Sequence, residues 1–137
     1  MKILGIDYGD KRIGLAVTDD LGLMAHPLKV IDKSVDLVEI KKVIEEYGNI
    51  ERIVVGMPIT LKDEISFKAK QVLSWIEKIK KEINIPIVTW DERFSTSIAE
   101  DLLIQADASR KKRKKVIDKL AARIILQDYI DSNKEDK

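Results

Sequence analysis

The feature that most constrains the fold is a change of hydrophobic period after the first quarter of the chain. Up to about residue 31, three short apolar or alternating runs are separated by two turn clusters, Asp7–Asp10 and Asp19–Gly22. From residue 34 onward, apolar positions recur at helical spacing, and two β-branched runs interrupt them. Strands joined by short turns pair antiparallel, whereas strands separated by helices pair in parallel. The pattern therefore predicts one mixed sheet.

The expected elements follow the chain in the order βββαβαβαα. Strands are expected over Ile3–Ile6, Arg12–Thr18, Met24–Ile31, Arg52–Gly56 and Pro86–Trp90. Helices are expected over Ser34–Tyr47, along the apolar stripe from Ile65 to Ile83, from near Ser95, and over about Val116–Ile130 after an interrupting basic run. We predict an α/β fold in which helices cover both faces of a five-stranded mixed sheet. Residues 1–131 form one domain in this prediction, and residues 132–137 form a polar C-terminal tail.

Composition limits the kind of protein that this sequence encodes. Its 137 residues, 45% of them hydrophobic, suffice for one buried core. There are no cysteines, which excludes disulfides and thiolate chemistry. No run approaches the roughly 18–20 apolar residues of a membrane helix. Since the sequence also lacks the pattern of a signal peptide, we expect a cytoplasmic protein without a membrane partner. The net charge of only +1 favours no particular partner.

Acidic residues at the strand ends are the candidate catalytic groups. Asp7 closes the first strand, Asp91 and Glu92 close the last, and Asp118 lies near the start of the final helix. Sites in open α/β sheets gather beyond the carboxyl ends of the parallel strands. Converging carboxylates raise each other's pKa unless a cation compensates, and Mg²⁺ or Mn²⁺ prefers such oxygen ligands. A pair of such ions supports phosphodiester hydrolysis.

A structural interpretation of the same residues stays open. An aspartate at a strand end is more often a turn former or helix cap than a ligand, and Asp118 taken alone fits a solvated helix position. Asp91 and Glu92 cannot both face one site if they continue the strand, because successive side chains point to opposite faces. We favour Glu92 as the ligand and keep Asp91 as the alternative.

Basic residues supply candidate contacts to nucleic acid. Six consecutive cations are the main candidate: Arg110, Lys111, Lys112, Arg113, Lys114 and Lys115. Contacts of this kind neutralise phosphates without reading sequence, although a solvated loop without a role is the alternative. Lys11 and Arg12 follow Asp7, and Arg93 follows Glu92, so these three could also hold a phosphate.

Four segments resemble the motifs of a known family. Gly5–Val17 resembles the opening motif of the YqgF (RuvX) family, and Val54–Pro58 its second motif. Asp91–Thr96 resembles the third, and Asp118–Ala122 with Ile125–Gln127 resembles the fourth. The motifs fall in the family order and span nearly the whole chain. The resemblance implies an RNase H-like fold.

The same resemblance implies a function. The family is described as nucleases that process the 5′ end of precursor 16S rRNA in ribosome biogenesis, and also as Holliday junction resolvases. Carried over by motif, Asp7, Glu92 and Asp118 correspond to the metal-binding carboxylates of the RNase H-like superfamily. Relatives carry an Asp-Gly stretch after the second motif where this chain has Thr60–Ile65. The resemblance therefore does not say which contacts this loop makes with the substrate. The expected partner is precursor rRNA or branched DNA, bound by a monomer or homodimer.

Two other classes compete with a nuclease. A non-catalytic RNA-binding factor in ribosome assembly would use the basic run equally well, but it has no need to gather carboxylates beside phosphate. An ATPase or sugar kinase of the actin-like type also begins with a strand, an aspartate and glycines. Those proteins close a cleft between two such domains, and this chain has length for one.

Overall fold

A computed structural model describes residues 2–9, 11–57, 67–91 and 110–135, and within the last range it describes the side chains of residues 120–132. A single 3₁₀ turn, Lys33–Val35, precedes the first helix. The strands and helices are β1 Lys2–Tyr8, β2 Arg12–Thr18, β3 Ala25–Asp32, α1 Asp36–Tyr47, β4 Ile50–Met57, α2 Phe67–Lys80, β5 Ile87–Asp91 and α3 Arg110–Glu135.

The five strands form one mixed sheet in the order β3-β2-β1-β4-β5. The first three strands form the expected antiparallel meander, in which β2 pairs with both β1 and β3. β4 pairs in parallel with β1 on one side and with β5 on the other. The carboxyl ends of β1, β4 and β5 consequently share one edge of the sheet. The predicted α/β architecture is confirmed.

Helices cover both faces of the sheet, as predicted. On one face, Leu4 and Ile6 of β1 belong to a buried cluster that includes side chains of α1 and α2. On the other face, α3 contributes Ala122, Ile125 and Leu126 to a second cluster. Residues of one strand alternate between the faces. Each strand position can therefore be assigned to the α1/α2 face or to the α3 face.

The end of α1 shows how local chemistry sets an element boundary. Ile40 and Val43 are the buried positions of its sheet-facing side. Gly48 follows the helix with a φ of 71°, and its N–H donates to the Ile44 carbonyl at 3.0 Å. A residue without Cβ adopts this left-handed conformation at no steric cost. Glycine thus stops the helix at the predicted place.

The start of α3 differs from the sequence prediction. We expected the basic run to interrupt the chain before a helix from about Val116, and that expectation is wrong: the helix begins at Arg110 and includes the whole run. Lysine and arginine have high helix propensity, and the run contains neither glycine nor proline. The helix also continues through residues 132–135 of the expected tail. Within the described residues, no helix has the length and hydropathy needed to span a membrane.

Candidate active site at the carboxyl edge of the sheet

Asp7 lies at the edge of the sheet where the parallel strands end. It is the next-to-last residue of β1, is half-buried, and stands opposite Gly14 of β2. Leu4 and Ile6 face α1 and α2. Alternation along the strand therefore places Asp7 on the α3 face.

α3 packs closely on β1 at Gly5, two residues before Asp7. A Cβ added to Gly5 would lie 2.8 Å from Leu126 Cβ and 3.3 Å from the Ala122 carbonyl oxygen. Ala121 and Ala122 are themselves fully buried. The absent side chain at Gly5 and the short alanine side chains let the helix backbone approach the strand.

The direction of α3 follows from its contacts with β3. Gln127 Oε1 accepts a hydrogen bond from the Ala25 N–H at 2.8 Å, and Arg123 Nε donates to the Ala25 carbonyl at 3.2 Å. Ala25 pairs with Thr18, whose hydroxyl accepts from the Ile3 N–H at 2.9 Å. The C-terminal half of α3 is thus anchored at the amino end of β1. Its N-terminal half extends toward the carboxyl end.

Asp118 and Glu92 are described to different extents. Asp118 is helical, and it precedes Ala121 and Ala122 by three and four residues. That spacing puts position 118 on the stripe of α3 that faces the sheet, whereas its side chain lies outside the description. Glu92 and Arg93 fall outside the described residues, as does the helix expected near Ser95.

Asp91, the alternative to Glu92, lies on the other face. It is exposed, ends β5, and stands opposite Met57 of β4. Val88 and Trp90 of β5 pack against the α3 cluster. Asp91 alternates with them and shares the α1/α2 face with Met57, which belongs to the cluster on that face. The structure does not bring Asp91 and Asp7 to the same side of the sheet.

Two of the predicted phosphate contacts border this edge. Lys11 is exposed in the turn between β1 and β2, and its carbonyl accepts from the Lys33 N–H at 3.2 Å. Arg12 is half-buried at the start of β2, opposite Asp32. The six cations from residue 110 to 115 form the first turns of α3, where only their backbone is described.

A pocket beside the same edge was missed by sequence reasoning. Tyr8, the last residue of β1, stacks at a tilt on Trp75 of α2, with ring centroids 4.6 Å apart. Trp75 Nε1 donates to Asp36 Oδ2 at 2.7 Å. Trp75 had only its place beside an apolar stripe to mark it, and no local signal links it to a carboxylate 39 residues earlier.

The described residues include only part of the predicted set of metal ligands. Among them, no three histidine, aspartate or glutamate side chains come together closely enough to hold an ion. Two of the three predicted ligands, Glu92 and the Asp118 side chain, lie outside that part of the chain.

Comparison with known proteins identifies the family. A family model named RuvX and described as Holliday junction resolvase matches residues 1–132. The chain belongs to the RuvX family. Family membership and similar proteins make it a nuclease, a hydrolase acting on phosphodiester bonds, with nucleic acid as its substrate. RuvC-like nucleases generally use divalent metal ions.

Relatives of this RuvX-family chain match it over nearly their full lengths. A protein of Desulforamulus reducens is 51% identical over 135 residues, covering 96% of this chain and 98% of its own. One of Desulforudis audaxviator is 44% identical over 137 residues, covering 98% and 96%. Both carry the name "Putative pre-16S rRNA nuclease".

Solved structures show that the RuvX-family chain has the fold of the RuvC-like resolvases. Thermus thermophilus RuvC in complex with a Holliday junction substrate superposes with a TM-score of 0.57 at 19% identity, covering 98% of this chain and 96% of that one. A fowlpox virus resolvase complexed with Holliday junction DNA gives a TM-score of 0.59 at 14% identity, covering 97% and 99%. The RNase H-like fold implied by the sequence motifs is confirmed.

Proposed function

We propose that this RuvX-family protein is a metal-dependent nuclease that processes the 5′ end of precursor 16S rRNA. Asp7, Glu92 and Asp118 are its metal-binding catalytic carboxylates. The observation that carries the proposal is the position of Asp7: it lies at the carboxyl edge, on the face covered by α3. The same helix carries Asp118 on its sheet-facing stripe.

The proposed donor set suits a small hard cation. Three carboxylates offer only oxygen ligands, which Mg²⁺ and Mn²⁺ favour. When bound, such ions activate water and stabilise the leaving oxygen of a phosphodiester. The protein positions two of these carboxylates through helix packing. The close contact of α3 with Gly5 fixes the helix that carries Asp118 against the strand that carries Asp7.

Glu92 is the third ligand in this proposal, and Asp91 is not. Asp91 lies on the α1/α2 face, opposite to the face of Asp7. Successive side chains of a strand point to opposite faces, so the face that Asp91 occupies is the wrong one for a ligand shared with Asp7. The position of Asp91 thus supports Glu92, the ligand that the motif resemblance implied.

Cations around the carboxylates bind the phosphate backbone in this proposal. Lys11 and Arg12 lie at the turn after Asp7, and Arg93 follows Glu92 in sequence. Arg110–Lys115 occupy the amino end of α3, where the helix dipole adds partial positive charge. An amino end without acidic residues in its first turn favours an anion such as phosphate.

Precursor rRNA is the proposed substrate because of the relatives at 51% and 44% identity, which are named for that activity. Processing of this RNA accompanies ribosome assembly, so the proposal includes a cytoplasmic location.

Branched DNA is the second candidate substrate. The family description and the solved resolvases with junction DNA favour it. Resolution of a junction requires two coordinated cuts and therefore a symmetric dimer. A chain that stays monomeric on a four-way junction would contradict this candidate, whereas processing of RNA is compatible with a monomer or a homodimer.

A panel of substrates tests the proposal. End-labelled precursor 16S rRNA, an unrelated single-stranded RNA and a four-way DNA junction are incubated with the protein and Mg²⁺ or Mn²⁺. We expect cutting near the mature 5′ end of the rRNA and none in chelator. Cutting of the junction alone would replace the RNA proposal with the resolvase, and no cutting of any substrate would overturn the assignment of a nuclease acting by itself.

A further inference from the structure

A pocket on the α1/α2 face borders the carboxyl end of β1. Its volume is about 410 Å³, within the range of small-ligand sites. Among the described residues, its floor consists of Tyr8, Asp36 and Trp75, and its rim consists of Lys33, Gln71, Ser74 and Lys78. None of these residues belongs to the proposed cleavage site.

The floor of the pocket is tightly connected. Asp36 is only 9% exposed, and both of its carboxylate oxygens accept hydrogen bonds. Trp75 Nε1 donates to one oxygen at 2.7 Å, and the Leu37 N–H donates to the other at 2.6 Å. These neutral donors satisfy both oxygens and leave the charge of Asp36 in place, so Lys33, Lys78 and Asp36 together give the pocket lining a formal net charge of +1. An anion above the floor therefore meets a carboxylate whose oxygens already accept hydrogen bonds from neighbouring N–H groups.

The rim presents hydrogen-bond donors and two cations. The Lys33 ammonium lies over the Tyr8 ring, 4.1 Å from its centre, and this attraction holds it against the pocket lining. Gln71, Ser74 and Lys78 are exposed on α2 at spacings of three and four residues, which line up along one side of a helix. Ammonium, amide and hydroxyl groups arranged in this way suit a phosphate group.

We propose that this pocket binds a backbone phosphate of the substrate strand, next to the bond that is cut. The inference rests on the proposed nuclease function, because Tyr8 at the floor directly follows Asp7 in β1. The two residues face opposite sides of the sheet, so the strand must bend around the carboxyl edge to reach both. A single strand makes such a bend at lower cost than a duplex, whose persistence length is about 50 nm for DNA. We therefore place a single-stranded segment of the substrate at this edge.

The test is the salt dependence of binding to a single-stranded RNA in chelator, where no cleavage occurs. Each phosphate contact contributes about 0.7 to the slope of log K against log salt for single strands. We expect the double variant Lys33→Gln/Lys78→Gln to lower the slope by about 0.7, the contribution of the one phosphate held in the pocket, and Lys78→Gln alone to lower it by part of that amount. Lys80→Gln is the matched control, because Lys80 belongs to the same helix, pairs with Glu77 at 3.7 Å, and lies about 200° around the axis from Lys78.

Fluorescence of Trp75 localises the effect. In a Trp90→Phe background Trp75 is the one tryptophan of the chain, and RNA binding should change its emission unless Lys78 is replaced. Equal slopes for the Lys78→Gln and Lys80→Gln variants, or an unchanged Trp75 emission, would overturn the proposal. A response to millimolar inorganic phosphate together with no response to RNA would assign the pocket to a free anion and overturn it also. These readouts do not depend on cleavage, so failure of the nuclease assignment would show separately.

Discussion

Gly5→Ala tests how α3 is positioned over the candidate site. The new Cβ would meet Leu126 Cβ at 2.8 Å and the Ala122 carbonyl at 3.3 Å. Ordinary contact begins at 3.4 Å, so the strand and helix must separate by roughly 0.6 Å. Both opposing atoms belong to the helix and one is backbone, which means that no side-chain rotation relieves the clash.

The magnitude follows from two opposing contributions. Overpacking costs about 1–3 kcal/mol, and removal of a glycine from the unfolded chain recovers about 0.4–1 kcal/mol. A net loss of about 1–2 kcal/mol lowers Tm by about 3–8 °C in a domain of this size. A displacement of about 1 Å in a catalytic site can cost 10²-fold in rate, so the smaller shift here should reduce cleavage about tenfold.

Gly48→Ala is the matched control for this substitution. Gly48 has a φ of +71°, and a Cβ added there would meet no described atom within 4 Å, so alanine there costs about 1 kcal/mol through backbone strain alone. Asn49 beside it contacts the amino end of β1 through the Lys2 N–H, far from Asp7. We expect similar losses of Tm in both variants, measured by circular dichroism, and a loss of cleavage well below Tm only in Gly5→Ala. Equal activity of the two variants would refute the positioning argument, and an unchanged Tm in Gly5→Ala would refute the contact.

Two further predictions concern hydrogen-bonded aspartates. Trp75→Phe removes a donor from the buried Asp36 carboxylate, and chemical denaturation should show a loss of about 1–3 kcal/mol; a stability equal to that of the parent would contradict it. Hydrogen bonds from the Ser34 hydroxyl and then its N–H hold the pKa of Asp32 below the usual 3.8. Because these hydrogen bonds favour the ionised carboxylate, they stabilise the folded state above pH 3.8. That stabilisation is lost as the pH falls through the lower pKa of Asp32 in the folded protein. Ser34→Ala should raise the pKa of Asp32 toward its usual value in an NMR titration, and an unchanged pKa would count against the assigned cause.

Local patterns predicted most of the fold. β2 occupies Arg12–Thr18 as expected, because its turns and alternation are encoded in adjacent residues. The face of Asp7 follows from the same alternation once the neighbours of Leu4 and Ile6 are known. The start of α3 was mispredicted because a run of like charges was given more weight than the helix propensity of lysine and arginine.

Contacts between distant segments could not be predicted from local patterns. The hydrogen bond from Trp75 to Asp36 joins α2 to the start of α1, and the pocket exists only because those helices pack side by side with Tyr8 beneath them. Gly5 is a second example. A glycine within a strand is typical of a close approach by another backbone, but only the fold shows that this backbone belongs to α3.

Cleavage assays of three single carboxylate variants decide whether Asp7 and Glu92 form the catalytic site. Asp7→Asn, Glu92→Gln and Asp91→Asn are each assayed with Mg²⁺ on labelled precursor 16S rRNA, with Tm recorded to show that each variant folds. We expect Asp7→Asn and Glu92→Gln to abolish cleavage, and Asp91→Asn, on the opposite face of the sheet from Asp7, to retain it. Full activity of Asp7→Asn, or a loss confined to Asp91→Asn, would contradict the site proposed here.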